Sequence, residues 1–307
     1  MTLEELLDRH RPVVLDGGLA TELEAQGHDL TDDLWSARVL RDAPEAIEAA
    51  HAAYLRAGAQ VLITASYQAS VESFARAGMS PQGAEELLRQ SVVLARRARE
   101  RVAADLPAAA AALVAASVGP YGAVLREGQE YTGDYGGLDL AALEQFHERR
   151  LRVLISAGPD CLACETIPRA DEARLLAGLL DRLEAPPAWI SFTCRNGEAT
   201  SHGEPIEEAV EAAASGQRVV AVGINCTAPE HVPELLRRAA TATDLPLVAY
   251  PNGGRVWDGN ERGWLTLGSD RLPLDAVAEW VDAGARLVGG CCGIGPAGIG
   301  EIAQAYR

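Results

Sequence analysis

The sequence predicts an α/β fold, a single (β/α)8 barrel of the TIM type spanning residues 1–307. Two observations carry this. Eight short apolar runs rich in Val, Leu and Ile alternate with longer amphipathic stretches, the pattern of a parallel sheet covered by helices. Glycines recur where helix hands over to strand, in Ala57-Gly58-Ala59, Ala157-Gly158-Pro159 and Ala283-Gly284-Ala285. Glycine takes the left-handed conformation that ends a helix. A chain of 307 residues suits one such barrel.

The elements follow in order. The first strand, 13–18, is Val13-Val14-Leu15 ending in Asp16-Gly17-Gly18. A helix over 19–26 follows, then one over 46–56. The second strand, 61–67, runs from Val61 to Tyr67, and a long helix covers 83–103. The Ala-rich 107–116 reads as a helix–strand junction into the third strand, 113–120. A helix over 140–156 precedes the fourth strand, 161–166, and another over 170–183 precedes the fifth, 188–194. Helix 206–214 leads to the sixth strand, 219–226, helix 230–240 to the seventh, 245–252, and helix 274–282 to the eighth, 285–292. The glycine-rich loops 119–137 and 252–269 are long enough to act as lids over the active face. An open doubly wound sheet is the competing architecture. Against it, Asp16-Gly17-Gly18-Leu19 is no GxGxxG fingerprint.

Composition narrows the function. The net charge is −17, which argues against nucleic acid or an anionic membrane as partner. No run of 18 apolar residues exists, and the acidic start lacks a signal peptide's basic region, so a cytoplasmic protein is expected. All 27 basic residues are arginine. Without a lysine amine there is no Schiff-base aldolase chemistry and no covalently held pyridoxal. No P-loop and no Ser-His-Asp set is visible. His10, His51 and His147 read as helix surface, and His28, His202 and His231 as loops or helix starts.

The chemistry concentrates at predicted strand ends, where this fold places its active sites. Cys226 ends the sixth strand. Cys291 and Cys292 end the eighth within Gly289-Gly290-Cys291-Cys292-Gly293. Three converging thiolates would hold one soft divalent metal and leave its fourth position open, as in a catalytic zinc site. Adjacent strand residues face opposite ways, so the strand must break for both cysteines to reach one ion. The flanking glycines allow that break. Other readings are buried inert thiols, a vicinal disulfide acting as a redox switch, or a structural zinc with Cys194 as fourth ligand. Cys161 and Cys164 form a CxxC, but residues three apart in a strand face opposite ways, so both read as core.

Asp16 and Glu165-Thr166 put carboxylates at the first and fourth strand ends, suited to a substrate ammonium. Backbone amides near Gly17 and Gly18 suit a carboxylate. Together they describe a pocket for an α-amino acid. Asp16 could instead cap the helix at 19–26. Ser66 and Tyr67 close the second strand, and Trp35 lies in the first long loop. Such aromatics hold a cation, or Trp35 simply plugs the barrel mouth.

These residues carry a resemblance. Gly223-Ile224-Asn225-Cys226 together with Gly289-Gly290-Cys291-Cys292-Gly293 resembles the homocysteine S-methyltransferase family. So do Leu15-Asp16-Gly17-Gly18-Leu19-Ala20-Thr21-Glu22, Asp33-Leu34-Trp35-Ser36-Ala37, Ile63-Thr64-Ala65-Ser66-Tyr67-Gln68, Ser117-Val118-Gly119-Pro120-Tyr121-Gly122 and Leu162-Ala163-Cys164-Glu165-Thr166. The match runs along nearly the whole chain. Glu130-Tyr131-Thr132-Gly133-Asp134-Tyr135 is most similar to the short bacterial and plant members that use S-methylmethionine or S-adenosylmethionine. The pattern departs at Gly253-Gly254, where a bulkier pair is expected.

The resemblance implies one homocysteine-binding domain, Zn2+ on Cys226, Cys291 and Cys292, and an ammonium contact from Asp16 and Glu165. With Gly17, Gly18, Trp35, Ser66, Tyr67, Thr166 and Asn225 these make the expected substrate-binding set. Homocysteine would react as a zinc-held thiolate, displacing a neutral thioether from a methyl sulfonium and leaving methionine. A selenohomocysteine or selenocysteine methyltransferase is the alternative within the family. Betaine-using relatives carry a C-terminal extension that is not expected here. The expected partners are small molecules, and the expected assembly is a monomer or small homo-oligomer.

Overall fold

The computed structural model describes residues 1–30, 36–125, 128–254, 257–258, 263–264 and 268–307. Eight parallel strands form the barrel: β1 (Val13–Val14), β2 (Val61–Ile63), β3 (Leu113–Val118), β4 (Cys161–Ile167), β5 (Ala188–Phe192), β6 (Val219–Asn225), β7 (Leu247–Tyr250) and β8 (Ala285–Val288). Each of β2 to β7 lies beside its neighbour in sequence, and β8 lies between β7 and β1. Leu15 bridges Val61 and closes the ring.

Nearly every strand residue is buried on both faces, which explains the continuous apolar runs. Alternate residues divide between two cores. Val61, Leu113, Ala163, Trp189 and Leu287 fill the barrel interior, joined by Leu3, Leu6 and Leu7 of the short N-terminal helix Leu3–Leu7. Leu62, Val114, Leu162, Ile190 and Val288 face the outer helices. Cys161 belongs to the inner core and Cys164 to the outer, as the three-residue spacing requires.

The outer helices start and stop by local chemistry. Helix Pro44–Ala57 opens on a proline and ends at Gly58, with φ 110°. The Ser80 side chain accepts from Gly83 N–H at the head of helix Pro81–Asp105, and Asp139 does the same for Leu140–Ser156. The junction at 107–116 is a 3₁₀ turn, Pro107–Ala111, running into β3. Helix Pro296–Ala305 follows the eighth strand, as eight strand–helix units require, while helices Leu3–Leu7, Ser36–Asp42, Val71–Arg76 and Tyr121–Leu125 were not expected.

Two expectations are corrected. Every strand but β4 stops short of its predicted C-terminal end, which matters most for the site where β1 stops at Val14, β2 at Ile63, β7 at Tyr250 and β8 at Val288. The residues beyond leave the ladder and turn in over the barrel mouth. His51 and His147 are fully buried rather than on helix surfaces. His147 lies on the inner face of its helix, where its Nε2 meets Glu172 Oε1 at 2.8 Å. His10 is exposed, just beyond the first helix. No helix among the described residues is long and apolar enough to cross a membrane.

Candidate active site

The strand ends surround a cleft at the C-terminal mouth of the barrel. Gly17, Gly18, Tyr67, Glu165, Thr166, Cys226, Cys291 and Cys292 line it, as expected from the sequence. Glu130, Tyr131, Tyr250, Thr64 and Thr21 line it too, and sequence reasoning gave them no site role. Asp16, Ser66 and Asn225 stand behind the wall. Trp35 lies outside the described residues.

The three cysteines converge. Cys226 Sγ is 3.7 Å from Cys292 Sγ, Cys291 Sγ is 4.0 Å from Cys292 Sγ, and all three sulfurs lie within 4.8 Å of one another. The sulfurs of a tetrahedral zinc centre with ~2.3 Å bonds stand about 3.8 Å apart. The donor set therefore fits a soft divalent ion with no rearrangement beyond side-chain rotation. All three are free thiols, and Cys194 is not part of the cluster. Hydrogen bonds from Cys291 and Cys292 hold the Cys226 thiol well below its ordinary range, and the same contacts push Cys291 up.

The local sequence explains the convergence. β8 breaks after Val288, and a turn follows at Cys292-Gly293 with Gly293 at φ 92°. Neighbouring loops pin the broken segment. Cys291 N–H donates to Pro251 O (2.8 Å), Gly253 N–H to Cys292 O (2.8 Å) and Gly293 N–H to Thr21 Oγ1 (2.9 Å). A bulkier residue at 253 does not fit this arrangement, because a Cβ there would stand 2.1 Å from Ser269 O. The departure noted at Gly253-Gly254 is therefore a requirement of the loop that holds Cys292.

Among the described residues, Cys226 and Thr166 are two of the three non-glycine residues with positive φ, 47° and 61°. Left-handed backbone is costly for a β-branched residue, about 1–3 kcal/mol, and persists only where neighbours over-determine it. Asn225 does this for Thr166. Its Oδ1 accepts from Thr166 N–H (2.7 Å) and Ser191 Oγ (2.9 Å), and its Nδ2 donates to Thr166 Oγ1 (2.8 Å). Ser66 has a similar place behind the wall, donating to Ser117 O at 2.8 Å.

The carboxylates are buried. Glu165 Oε1 accepts a short hydrogen bond from Ser117 Oγ. Burial pushes its carboxyl up to about 7, against the hydrogen bonds from Ser117 and Tyr250. Asp16 Oδ2 accepts from Ile63 N–H (2.8 Å), while Oδ1 is buried without a partner among the described residues. Asp16 is not a cap: Gly18 holds the cap position of helix Leu19–Ala25, with no side-chain cap bond. Burial raises the Asp16 carboxyl well above its usual range, and nearby Glu165 adds to this. The Gly18 amide is not open to a substrate carboxylate, since it donates to Ile294 O at 2.9 Å.

Glu130 and Tyr131 arrive on the 3₁₀ turn Gln129–Tyr131 within the loop 119–137. Tyr131 Oη stands 3.4 Å from Cys226 Sγ. This loop is anchored rather than free. Tyr121 N–H and His147 Nε2 meet Glu172 Oε1, each at 2.8 Å, and Tyr135 Oη donates to Glu172 Oε2 at 2.5 Å. The other long loop lies partly outside the described residues. Among the described residues no basic side chain lines the cleft. A cavity walled by thiols, carboxyls and tyrosines favours cationic organic ligands.

The sequence pattern described as "Homocysteine S-methyltransferase" matches residues 13–306. A homocysteine S-methyltransferase of Escherichia coli K12 is 46% identical over 301 residues, covering 98% of this chain and 97% of that protein. Homocysteine S-methyltransferase 4 of Zea mays is 47% identical, covering 96% and 89%. The crystal structure of the Escherichia coli homocysteine methyltransferase MmuM in its metallated form superposes with a TM-score of 0.88 at 44% identity, covering 99% of each chain.

Proposed function

Since the chain belongs to the homocysteine S-methyltransferase family and is an enzyme of that activity, we propose that it is a zinc enzyme that methylates homocysteine from a small sulfonium, S-methylmethionine or S-adenosylmethionine. The observation that carries this reading is the cluster of Cys226, Cys291 and Cys292, with sulfurs 3.7–4.0 Å apart along two edges at the floor of a cleft. These three residues would hold the metal. Zinc, when bound, lowers the pKa of a thiol presented to its open position, so that homocysteine is a thiolate at neutral pH.

The chain's own residues do the rest. Glu165 and Asp16 are assigned to the homocysteine ammonium. Buried carboxylates in no ion pair among the described residues gain most from an incoming cation, which also restores their ionised form. Thr166, held by Asn225, fixes the wall beside Glu165. Gly17 and Gly18 let the first loop pass close to the cysteine segment: a Cβ at Gly17 would stand 2.4 Å from Ile294 O. Tyr67 is assigned to the donor side, and so, as a sequence expectation, is Trp35. In the reaction the acceptor sulfur attacks the donor methyl carbon, and the carbon–sulfonium bond breaks. Its electron pair stays on the donor sulfur, which leaves as a neutral thioether. The leaving group needs no proton, so positioning and electrostatics suffice.

Residues 1–307 are taken as one homocysteine-binding domain. The donor assignment rests on the compact cleft and the missing nucleotide fingerprint. S-Methylmethionine should be at least as good a donor as S-adenosylmethionine by kcat/KM, and betaine poor. Strict dependence on S-adenosylmethionine would overturn the donor assignment and point to an adenosyl-binding feature of the cleft.

A further inference from the structure

We propose that Glu130, together with the rings of Tyr67 and Tyr131, forms the subsite that takes the sulfonium of the methyl donor. The proposal rests on the reading of this cleft as a homocysteine methyltransferase site, and it assigns a counter-charge that the reading leaves open. Glu130 lines the cleft yet is only 8% exposed. Its Oε2 is buried and has no hydrogen-bond partner among the described residues. A carboxylate taken out of water without a partner is costly, and a cleft-lining one is placed to be paired by a bound cation.

Its surroundings decide which ligand. Glu130 and Cys226 repel one another, and the Tyr67 hydroxyl feels Glu130 more strongly than any other charge. Its chain neighbour Tyr131 reaches within 3.4 Å of Cys226 Sγ. Residues 130–131 therefore flank the metal-ligand cluster on the side of the two tyrosines. The donor sulfur must come here, because its methyl has to lie in line with an acceptor sulfur held beside those cysteines. Glu165 is held differently: its Oε1 already accepts from Ser117, and its charge adds to the raising of the Asp16 carboxyl. That pair suits the acceptor's ammonium. A sulfonium between tyrosine faces and a carboxylate gains both cation–π attraction and charge pairing.

The reaction gives this contact a kinetic signature. The acceptor thiolate and donor sulfonium neutralise each other as the methyl passes, so the donor's positive charge declines toward the transition state. A fixed carboxylate beside it strengthens the ground state at least as much as the transition state. Its loss should therefore appear in KM rather than kcat.

The test uses the zinc-loaded full-length enzyme and its Glu130→Gln variant, with S-methylmethionine as donor. We expect the donor KM to rise at least tenfold, with kcat falling by less than KM rises. Homocysteine KM and zinc content should stay within twofold. A second measurement compares calorimetric binding of S-methylmethionine with its neutral carbon isostere, 2-amino-5-methylhexanoic acid. On the wild-type enzyme the isostere should bind at least tenfold more weakly, and in the variant the gap should shrink below threefold. Equal binding of the two by the wild type overturns the proposal, and does so even if the variant fails to fold. So does a shift in homocysteine KM alone, or an equal loss for both ligands, which would assign Glu130 to an ammonium group. Absence of methyl transfer by the wild-type enzyme would strike at the methyltransferase reading, while the calorimetric comparison would still decide the subsite.

Discussion

Glu165 and Asp16 are the residues on which amino-acid recognition turns. Both are buried, and both carboxyls are raised by that burial. Removing one partner of a desolvated charge contact costs about 2–5 kcal/mol, because the other charge stays unpaired. Glu165→Gln should therefore weaken homocysteine binding by roughly thirtyfold or more while the zinc content is unchanged. An unaltered homocysteine KM in a zinc-replete Glu165→Gln enzyme would return Glu165 to a structural role. The sequence made these carboxylates legible because each follows an apolar run and precedes a glycine or proline. Other roles were hidden. Nothing in the sequence shows that Asn225 faces Thr166 across 59 positions, or that it holds a left-handed threonine. Glu130 was hidden for a related reason. It sits on a 3₁₀ turn inside a loop, and no periodicity says which way a loop residue points. Tyr250 could have been found by parity, since Val248 faces the inner core and the residue two further on shares its face.

Elements were more readable than their ends. The positions of the eight strands and the seven long helices follow from apolar periodicity, which is set by burial on one or both faces. Where a strand stops depends on tertiary contacts. Residues 290–292 leave the ladder because the segments after β1 and β7 take their backbone hydrogen bonds, a break that Gly289 and Gly290 allow. Buried polar groups inside helices were the other blind spot. His51 lies on the inner side of helix Pro44–Ala57 with neither ring nitrogen bonded among the described residues. Burial lowers its pKa from the ordinary 6.5 to about 4. The folded chain then binds fewer protons than the unfolded chain between those values. The stability from a neutral His51 is full above about pH 6.5 and is lost as pH falls toward 4, with an upper bound of about 3 kcal/mol. His51→Leu should flatten this part of the acid limb when unfolding free energy is measured by denaturant titration between pH 7 and 4.5. The same slope in the variant and the parent would show that His51 does not carry it.

At the scale of the whole molecule, charge and architecture point the same way. A net charge of −17 and a cleft with no basic lining among the described residues both favour cationic substrates over anionic ones. The barrel brings residues from β1, β2, β4, β6 and β8 to one mouth, so no contiguous motif could have described the site by itself. What made it legible was the repeat. Once eight strands are counted, Cys226 and Cys291-Cys292 must lie on the same face, two strands apart in the ring. The lack of lysine removes the commonest covalent alternatives on this fold. The most direct test of the three-cysteine centre is zinc content titrated against homocysteine methylation in one preparation stripped by chelator and then refilled. The rate should rise in proportion to bound zinc and saturate at one zinc per chain, and Cys226→Ala, Cys291→Ala or Cys292→Ala should each lose both. Full methylation by the metal-free chain would contradict the account.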